Sequence, residues 1–198
     1  MTTTAERILA HAEILPEGHA FSAKELLHLG QRPAIDQALS RLVRRGRLLR
    51  IGRGLYTHPV RSRFGARAPA PEAVIESLAE RTGETITPSG AVSANRLGLT
   101  TQNPTKAVYM TSGPSRTLTI GKQQVELRHA PAWQLRASTS RAGEALRALA
   151  WLGPKKAKGK ARILGRKLTS AERSELAALR AQTPTWLAQE LSVLAVDG

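Results

Sequence analysis

Apolar positions in the first 45 residues recur at helical spacing in three successive segments. The first segment runs from Ala5 to Leu15, and Thr4 is its predicted cap. The second begins at Ser22, which is spaced to form a capping box with Glu25, and it ends at Gly30. The third segment predicts a helix with one buried stripe, formed by Ile35, Ala38, Leu39, Leu42 and Val43.

The hydrophobic pattern changes from helix to strand after Gly46, which is suited to ending the third helix. Residues 47–51 and 55–58 are short apolar-rich runs, and the Gly-Arg-Gly sequence at 52–54 joins them. Two such runs around a glycine-containing turn predict a β-hairpin. Three helices followed by a hairpin predict a winged helix-turn-helix over residues 1–60.

The rest of the chain predicts a second domain of mixed type. Residues 61–71 are rich in arginine, alanine and proline without periodicity, which predicts a linker. Residues 72–198 begin with two helices, the second of them rich in small residues and able to approach another helix closely. Three strand-forming runs then predict a small antiparallel meander: 106–111, 116–120 and 123–129. Three later helices begin at Gly143, at Thr169, which is spaced to form a capping box with Glu172, and at Pro184. They predict a helical C-terminal cap. We therefore expect an α+β fold.

The composition indicates the class of partner. A formal net charge of +15 in 198 residues indicates a polyanionic partner, foremost nucleic acid, with an acidic protein or a membrane surface as lesser alternatives. The absence of cysteine excludes disulfides and thiolate metal sites. No apolar run is long enough to span a membrane, and the N-terminal sequence does not resemble a signal peptide. We expect a cytoplasmic protein.

The third predicted helix and the hairpin indicate where DNA would bind. Six arginines and no acid lie between Arg41 and Arg53. The polar face of the helix carries small, amide, hydroxyl and guanidinium groups, which suit base edges and phosphates in a major groove. Arg53 stands at the predicted hairpin tip. The predicted DNA-binding residues are Arg32, Ala34, Gln37, Ser40, Arg41, Arg44, Arg45, Arg47 and Arg53.

No catalytic pattern is apparent in the chain. The five histidines are scattered, and none has a partner at metal-ligand spacing. There is no phosphate-binding glycine-rich loop that opens a helix, and the serines near Gly90 and Gly113 lack a recognisable base. We expect a protein that is not an enzyme and that uses neither a cofactor nor a metal.

Three stretches of this sequence resemble the AbiEi-type antitoxins of bacterial toxin-antitoxin and abortive-infection systems. They are Arg53–Pro59, Thr87–Pro104 and Val108–Arg116, within a likeness that extends over roughly residues 4–152. The resemblance implies an N-terminal winged helix-turn-helix that represses its own operon and a C-terminal domain required for antitoxicity. The implied partners are the protein's own promoter and a nucleotidyltransferase-like toxin, whose neutralisation is often indirect.

Other interpretations of the same features remain open. The basic helix and hairpin could be an ordinary solvated face, and winged-helix folds also serve as protein-interaction modules. Seven basic residues and no acid lie between Lys155 and Lys167, which predicts a flexible, solvated or nucleic-acid-contacting segment. One alternative is therefore a basic RNA- or ribosome-associated protein without antitoxin activity. Another is a module whose second domain binds an acidic toxin directly.

Overall fold

The computed structural model describes the backbone of residues 2–63, 65–102 and 104–196, and their side chains up to Ser192. The fold is α+β. The helices are α1 (Thr4–Glu13), α2 (Arg32–Arg44), α3 (Pro71–Thr82), α4 (Gly90–Arg96), α5 (Arg141–Ala157), α6 (Lys160–Gly165), α7 (Ser170–Ala178) and α8 (Thr185–Val196). The strands are β1 (Leu49–Gly52), β2 (Leu55–Thr57), β3 (Val60–Ser62), β4 (Gly65–Arg67), β5 (Ile86–Pro88), β6 (Ala107–Thr111), β7 (Arg116–Ile120) and β8 (Gln123–His129). Short 3₁₀ helices occur at Leu27–Leu29, Ala132–Leu135 and Leu179–Gln182.

The chain divides into two compact units whose boundaries differ from the predicted domains. The first unit comprises the described residues up to Glu84 together with Arg116–Glu126, and the second comprises Thr85–Ser115 and the residues from Leu127 onwards. The sequence placed the boundary between residues 60 and 72. In the structure, β7 packs against β1 and so belongs to the first unit. The sequence pattern did not predict this contact, because the two strands are far apart in the chain.

Helix α1 begins one residue earlier than its predicted cap implies. The Thr3 hydroxyl accepts a hydrogen bond from the N–H of Glu6 at 3.3 Å, and the Glu6 carboxylate accepts one from the N–H of Thr3 at 2.7 Å. Of the neighbouring threonines, only Thr3 has a glutamate three residues further on, so Thr3 rather than Thr4 forms the capping box. Ile8 and Ala12 are the buried residues of this helix.

The α-helix predicted from Ser22 is not formed. The residues after Ser22 make turns that end in the 3₁₀ helix Leu27–Leu29. One oxygen of Glu25 accepts hydrogen bonds from both the N–H of Ser22 at 3.1 Å and its hydroxyl at 2.8 Å. The hydroxyl therefore donates to the side chain of Glu25 instead of capping a helical N–H. Leu26 still fixes the segment in the core, because it is fully buried.

The hairpin predicted after α2 is confirmed, and a second hairpin replaces the predicted linker. Strands β1 and β2 pair antiparallel, with Arg50 opposite Tyr56. Residues 61–71 were expected to lack structure, yet β3 and β4 pair antiparallel, with Val60 opposite Arg67. No residue of β3 or β4 is buried, so these strands lack the apolar alternation by which a half-buried strand is recognised.

The three strands predicted in the second domain are present, but they do not form a meander. The strand order is β5-β6-β8-β7, so β8 lies between β6 and β7. β5 was not predicted, and it pairs antiparallel with β6, with Thr87 opposite Met110. The error in strand order concerns which strands become neighbours, which local β-propensity does not specify. β5 was missed because it has three residues and ends in a proline, too short for an alternating pattern to be recognised.

Helices α4 and α5 pack closely inside the second unit, as the small residues of α4 predicted. A Cβ atom built on Gly90 would lie 2.5 Å from the backbone oxygen of Arg147. Helix α5 begins after Ser140, whose hydroxyl accepts a hydrogen bond from the N–H of Gly143 at 3.1 Å. The helix is broken at Gly153, where φ is 70°, directly before Pro154.

The basic segment from Lys155 to Lys167 is helical and not a flexible loop. It contains the end of α5 and all of α6. Apolar residues recur at i, i+4, i+7 and i+11 beneath the charges and are buried: Ala157, Ala161, Leu164 and Leu168. The charged residues obscured this stripe in the sequence. The capping box predicted between Thr169 and Glu172 is confirmed at the start of α7.

Candidate nucleic-acid interface

Helix α2 buries one face and leaves the other open to solvent. Its inward residues pack with those of α1 and with the segment around Phe21 in the core of the first unit: Ile35, Ala38, Leu39 and Leu42. Its outward face carries small, amide, hydroxyl and guanidinium groups: Ala34, Gln37, Ser40, Arg41 and Arg44. The helix is therefore held by its apolar stripe, and its polar face is free to meet another molecule.

The tip of the β1-β2 hairpin presents one arginine. Gly52 is paired with Leu55, so Arg53 and Gly54 form a two-residue turn. Gly54 has a φ of 68°, a left-handed conformation that glycine adopts without steric cost. The turn leaves the Arg53 side chain exposed.

Ion pairs distinguish the arginines of the first unit from one another. Arginines of this unit contact carboxylates at 4.0 Å or less in these ion pairs: Asp36 with Arg32, Glu13 with Arg47 and Arg61, Glu17 with Arg67, Glu25 with Arg81, and Glu84 with Arg116. Among the described residues, no carboxylate lies within that distance of Arg41, Arg44, Arg45 or Arg53. Within the described chain, Arg7 and Arg50 also lack a carboxylate within that distance, but each donates a side-chain hydrogen bond to a backbone oxygen, of His28 and of Gly52. The positive charge on α2, just after it and at the hairpin tip is therefore not offset by an ion pair with a described residue.

All nine residues predicted to bind DNA are exposed, but two of them are already paired. Arg32 contacts Asp36 at 2.8 Å, and Arg47 contacts Glu13 at 3.5 Å. The i, i+4 spacing of Arg32 and Asp36 was the signal that could have identified the first pair. The second pair joins residues far apart in the sequence, so no local sequence pattern predicts it. The seven others are Ala34, Gln37, Ser40, Arg41, Arg44, Arg45 and Arg53.

His58 lies beside this surface, next to Glu13. Its Nε2 atom is 3.9 Å from a Glu13 carboxylate oxygen and, among the described residues, has no hydrogen-bond partner. Burial lowers the pKa of His58 below its usual range, Glu13 opposes this effect, and Arg61 and Arg47 add to it. The histidine therefore favours its neutral form.

Cavities and a buried arginine occur among the described residues of the second unit. A cavity of about 560 Å³ is lined by both apolar and basic groups, including Met110, Arg128 and the partly exposed Trp151. A more polar cavity of about 420 Å³ includes Ser93 and Arg147 in its lining. Within residues 2–63, 65–102 and 104–196, no group of three or more His, Cys, Asp or Glu residues is arranged to hold a metal ion.

No helix in the described part of the chain combines the length and the apolar character needed to cross a bilayer.

Comparisons with other proteins relate this chain to a family and to one solved structure. A family model matches residues 7–175, and its description states that the function is unknown. No curated protein matches the sequence. The crystal structure of the RV2827C protein from Mycobacterium tuberculosis aligns with 98% of this chain and 76% of that one, at 17% identity and a TM-score of 0.53. At this identity, the similarity concerns the fold alone.

Proposed function

The chain belongs to DUF6088, a family of unknown function, and we propose that its first unit is a winged helix-turn-helix that binds duplex DNA. In this proposal α1, the turns ending at Leu27–Leu29, and α2 are the three helical segments, and the β1-β2 hairpin is the wing. The outward face of α2 enters the major groove, whose width admits an α-helix. Arg53 contacts the backbone from the wing.

The observation that carries this proposal is a group of four exposed arginines that, among the described residues, have neither a carboxylate partner nor a side-chain hydrogen bond: Arg41, Arg44, Arg45 and Arg53. A guanidinium group can bind phosphate or the O6 and N7 atoms of guanine with two parallel hydrogen bonds. Arginines already held by acids would have to give up those ion pairs first. The unpaired ones lie on a helix face and a hairpin tip, which are the two features that a winged helix presents to DNA.

The proposed wing is supported by its attachment to the helical core. Phe21 and Tyr56 form an isolated antiparallel bridge, so the segment before the 3₁₀ helix pairs with β2. This bridge holds the base of the hairpin and leaves its tip exposed. Such an arrangement favours a fixed position for Arg53 relative to α2, and fixed donors bind a duplex at a lower entropic cost.

For the whole protein we propose a cytoplasmic repressor of its own operon, acting as the antitoxin of a nucleotidyltransferase-like toxin. The support is the resemblance of its sequence to AbiEi-type antitoxins at Arg53–Pro59, Thr87–Pro104 and Val108–Arg116. Growth rescue tests the antitoxin role. Co-expression with the product of the adjacent gene should restore growth if that product is toxic alone. Toxicity that persists at full expression of this chain would contradict the antitoxin role and leave DNA binding as a separate question.

The DNA-binding role is tested with the full chain on three labelled nucleic acids: its own upstream duplex, a scrambled duplex, and structured RNA. Each is titrated at two salt concentrations, because phosphate contacts weaken steeply with salt whereas base contacts preserve a preference. We expect the upstream duplex to retain its advantage at the higher salt. Equal binding to all three that the higher salt abolishes would contradict sequence-specific recognition. A preference for RNA would favour the basic helical segment from Lys155 to Lys167 as the binding surface.

A further inference from the structure

Arg147 in α5 is a buried arginine with unused hydrogen-bond donors. Its residue is only 3% exposed. Its Nη2 atom donates to the backbone oxygen of Ser138 at 3.2 Å, while Nε and Nη1 are buried and, among the described residues, have no partner. Burial lowers its pKa to about 10, with Glu144 opposing the change, so the guanidinium is still charged at neutral pH. Burying a charged guanidinium with two unpaired donor atoms costs folding free energy unless a ligand accepts hydrogen bonds from those atoms.

A second buried polar group without a partner among the described residues lies on α4. The hydroxyl of Ser93 is fully buried and has no hydrogen-bond partner in the described part of the chain. Ser93 and Arg147 both line the cavity of about 420 Å³. Ser138, whose carbonyl oxygen holds Nη2, lines this cavity too, which places the guanidinium end of Arg147 at its wall. The two groups together offer donors to a shared occupant.

The charges around the cavity favour an anion. Arg96 and Arg141 line it together with Arg147, and Glu144 is the acidic residue of the lining. Glu144 lies 3.9 Å from Nη1 of Arg96, so its charge is offset by a neighbouring arginine. Ser140 and Arg141 bring the N-terminal end of the long helix α5 to the same cavity. The dipole of that helix also favours negative charge there.

We propose that this cavity binds a phosphate group through Nε and Nη1 of Arg147 and the hydroxyl of Ser93. A phosphate offers several acceptor oxygens, which suits the planar fork of a guanidinium and a nearby hydroxyl donor. The site lies within the second unit and is separate from the proposed DNA surface. The phosphate-binding proposal can therefore be tested independently of the DNA-binding proposal.

Titration calorimetry with inorganic phosphate at constant ionic strength tests the site in the full chain. Arg147→Met removes the fork, and Arg180→Met removes an equal charge from an exposed position outside the cavity. We expect one saturable site in the unmodified protein, at least about tenfold weaker binding in Arg147→Met, and unchanged binding in Arg180→Met. Equal weakening by the two substitutions would show general electrostatic attraction and overturn the proposal.

Ser93→Ala provides a test that does not remove a buried charge. Losing one hydrogen bond to a charged phosphate oxygen should weaken phosphate binding at least about tenfold. Without phosphate, the free energy of unfolding of the Ser93→Ala variant should match that of the unmodified protein, because the Ser93 hydroxyl has no hydrogen-bond partner among the described residues. Unchanged phosphate affinity in Ser93→Ala and Arg147→Met, or no saturable binding at all, would overturn the site. Parallel titration with a nucleoside 5′-monophosphate identifies the source of the group: tighter binding indicates a nucleotide, and weaker binding indicates free phosphate.

Discussion

Phe21 and Tyr56 each donate a backbone N–H to the other's carbonyl oxygen, both over 2.9 Å. Their ring centroids lie 6.3 Å apart. Phe21 is nearly fully buried in the core that also holds α1 and α2. The proposed wing is therefore fixed at its base by backbone pairing and by a large side chain of the helical core.

Replacing Phe21 with alanine should lower the free energy of unfolding by about 3–5 kcal/mol, because it leaves a cavity in a packed core. The measurement is chemical denaturation followed by circular dichroism. Ile14→Ala is the matched control, since Ile14 is 80% exposed and its truncation should change stability by less than about 0.5 kcal/mol. Similar losses in the two variants would show that Phe21 does not anchor this core.

Gly90→Ala should destabilise the second unit, because the added Cβ would lie 2.5 Å from the backbone oxygen of Arg147 and 2.6 Å from the Cβ of Trp151. Such overpacking costs about 1–3 kcal/mol or more. In Gly30→Ala the new Cβ would approach only the side chain of Thr4, at 3.5 Å. Thermal unfolding should show a clear loss for Gly90→Ala and little change for Gly30→Ala. A tolerated Gly90→Ala would contradict the close packing of α4 on α5.

His58 should make stability depend on pH. Burial lowers the pKa of His58 in the folded state, so the unfolded chain binds more protons below its value of 6.5. The free energy of unfolding should therefore fall as the pH drops through 6.5 towards the lowered pKa, and His58→Gln should flatten this decline. Glu13→Gln should steepen it, because Glu13 opposes the lowered pKa. Identical profiles for the unmodified protein and His58→Gln would contradict this assignment.

Arg53 should contribute to DNA binding chiefly through phosphate. Arg53→Ala should weaken binding to all duplexes by a similar factor and reduce the slope of log affinity against log salt by about 0.9. Arg180→Ala removes the same charge outside the proposed surface and should leave the slope unchanged. If Arg53→Ala altered sequence preference with no change in slope, the wing would contact bases instead.

The sequence predicted the parts of this fold that depend on local patterns. The apolar stripe of α2, the Gly52–Leu55 turn and the Thr169–Glu172 capping box each result from residues close together in the chain. The strand order did not follow from such patterns, because the placing of β8 between β6 and β7 depends on distant partners.

The candidate site was predictable to a similar degree. The exposure of seven of the nine residues followed from the helical period of α2 and from the turn around Arg53, whereas Arg45 and Arg47 lie between these two elements. The Arg47–Glu13 ion pair did not follow, because α1 and the segment after α2 meet only in the folded chain. The buried Arg147 was also missed, since an arginine in a helical pattern is normally assigned to the surface.

Recognition of DNA by α2 is tested most directly by two charge-matched double variants. Arg41→Ala with Arg44→Ala alters the outward face of α2, whereas Lys155→Ala with Lys156→Ala removes two exposed charges from the end of α5. Affinity for the upstream duplex is measured by fluorescence anisotropy. A lost base contact costs about 1–3 kcal/mol, so the α2 variant should bind at least about tenfold more weakly and lose its preference over scrambled DNA.

The Lys155→Ala, Lys156→Ala variant should bind the upstream duplex with unchanged affinity and unchanged preference over scrambled DNA. Equal weakening of both variants, or weakening of the lysine variant alone, would contradict recognition by α2.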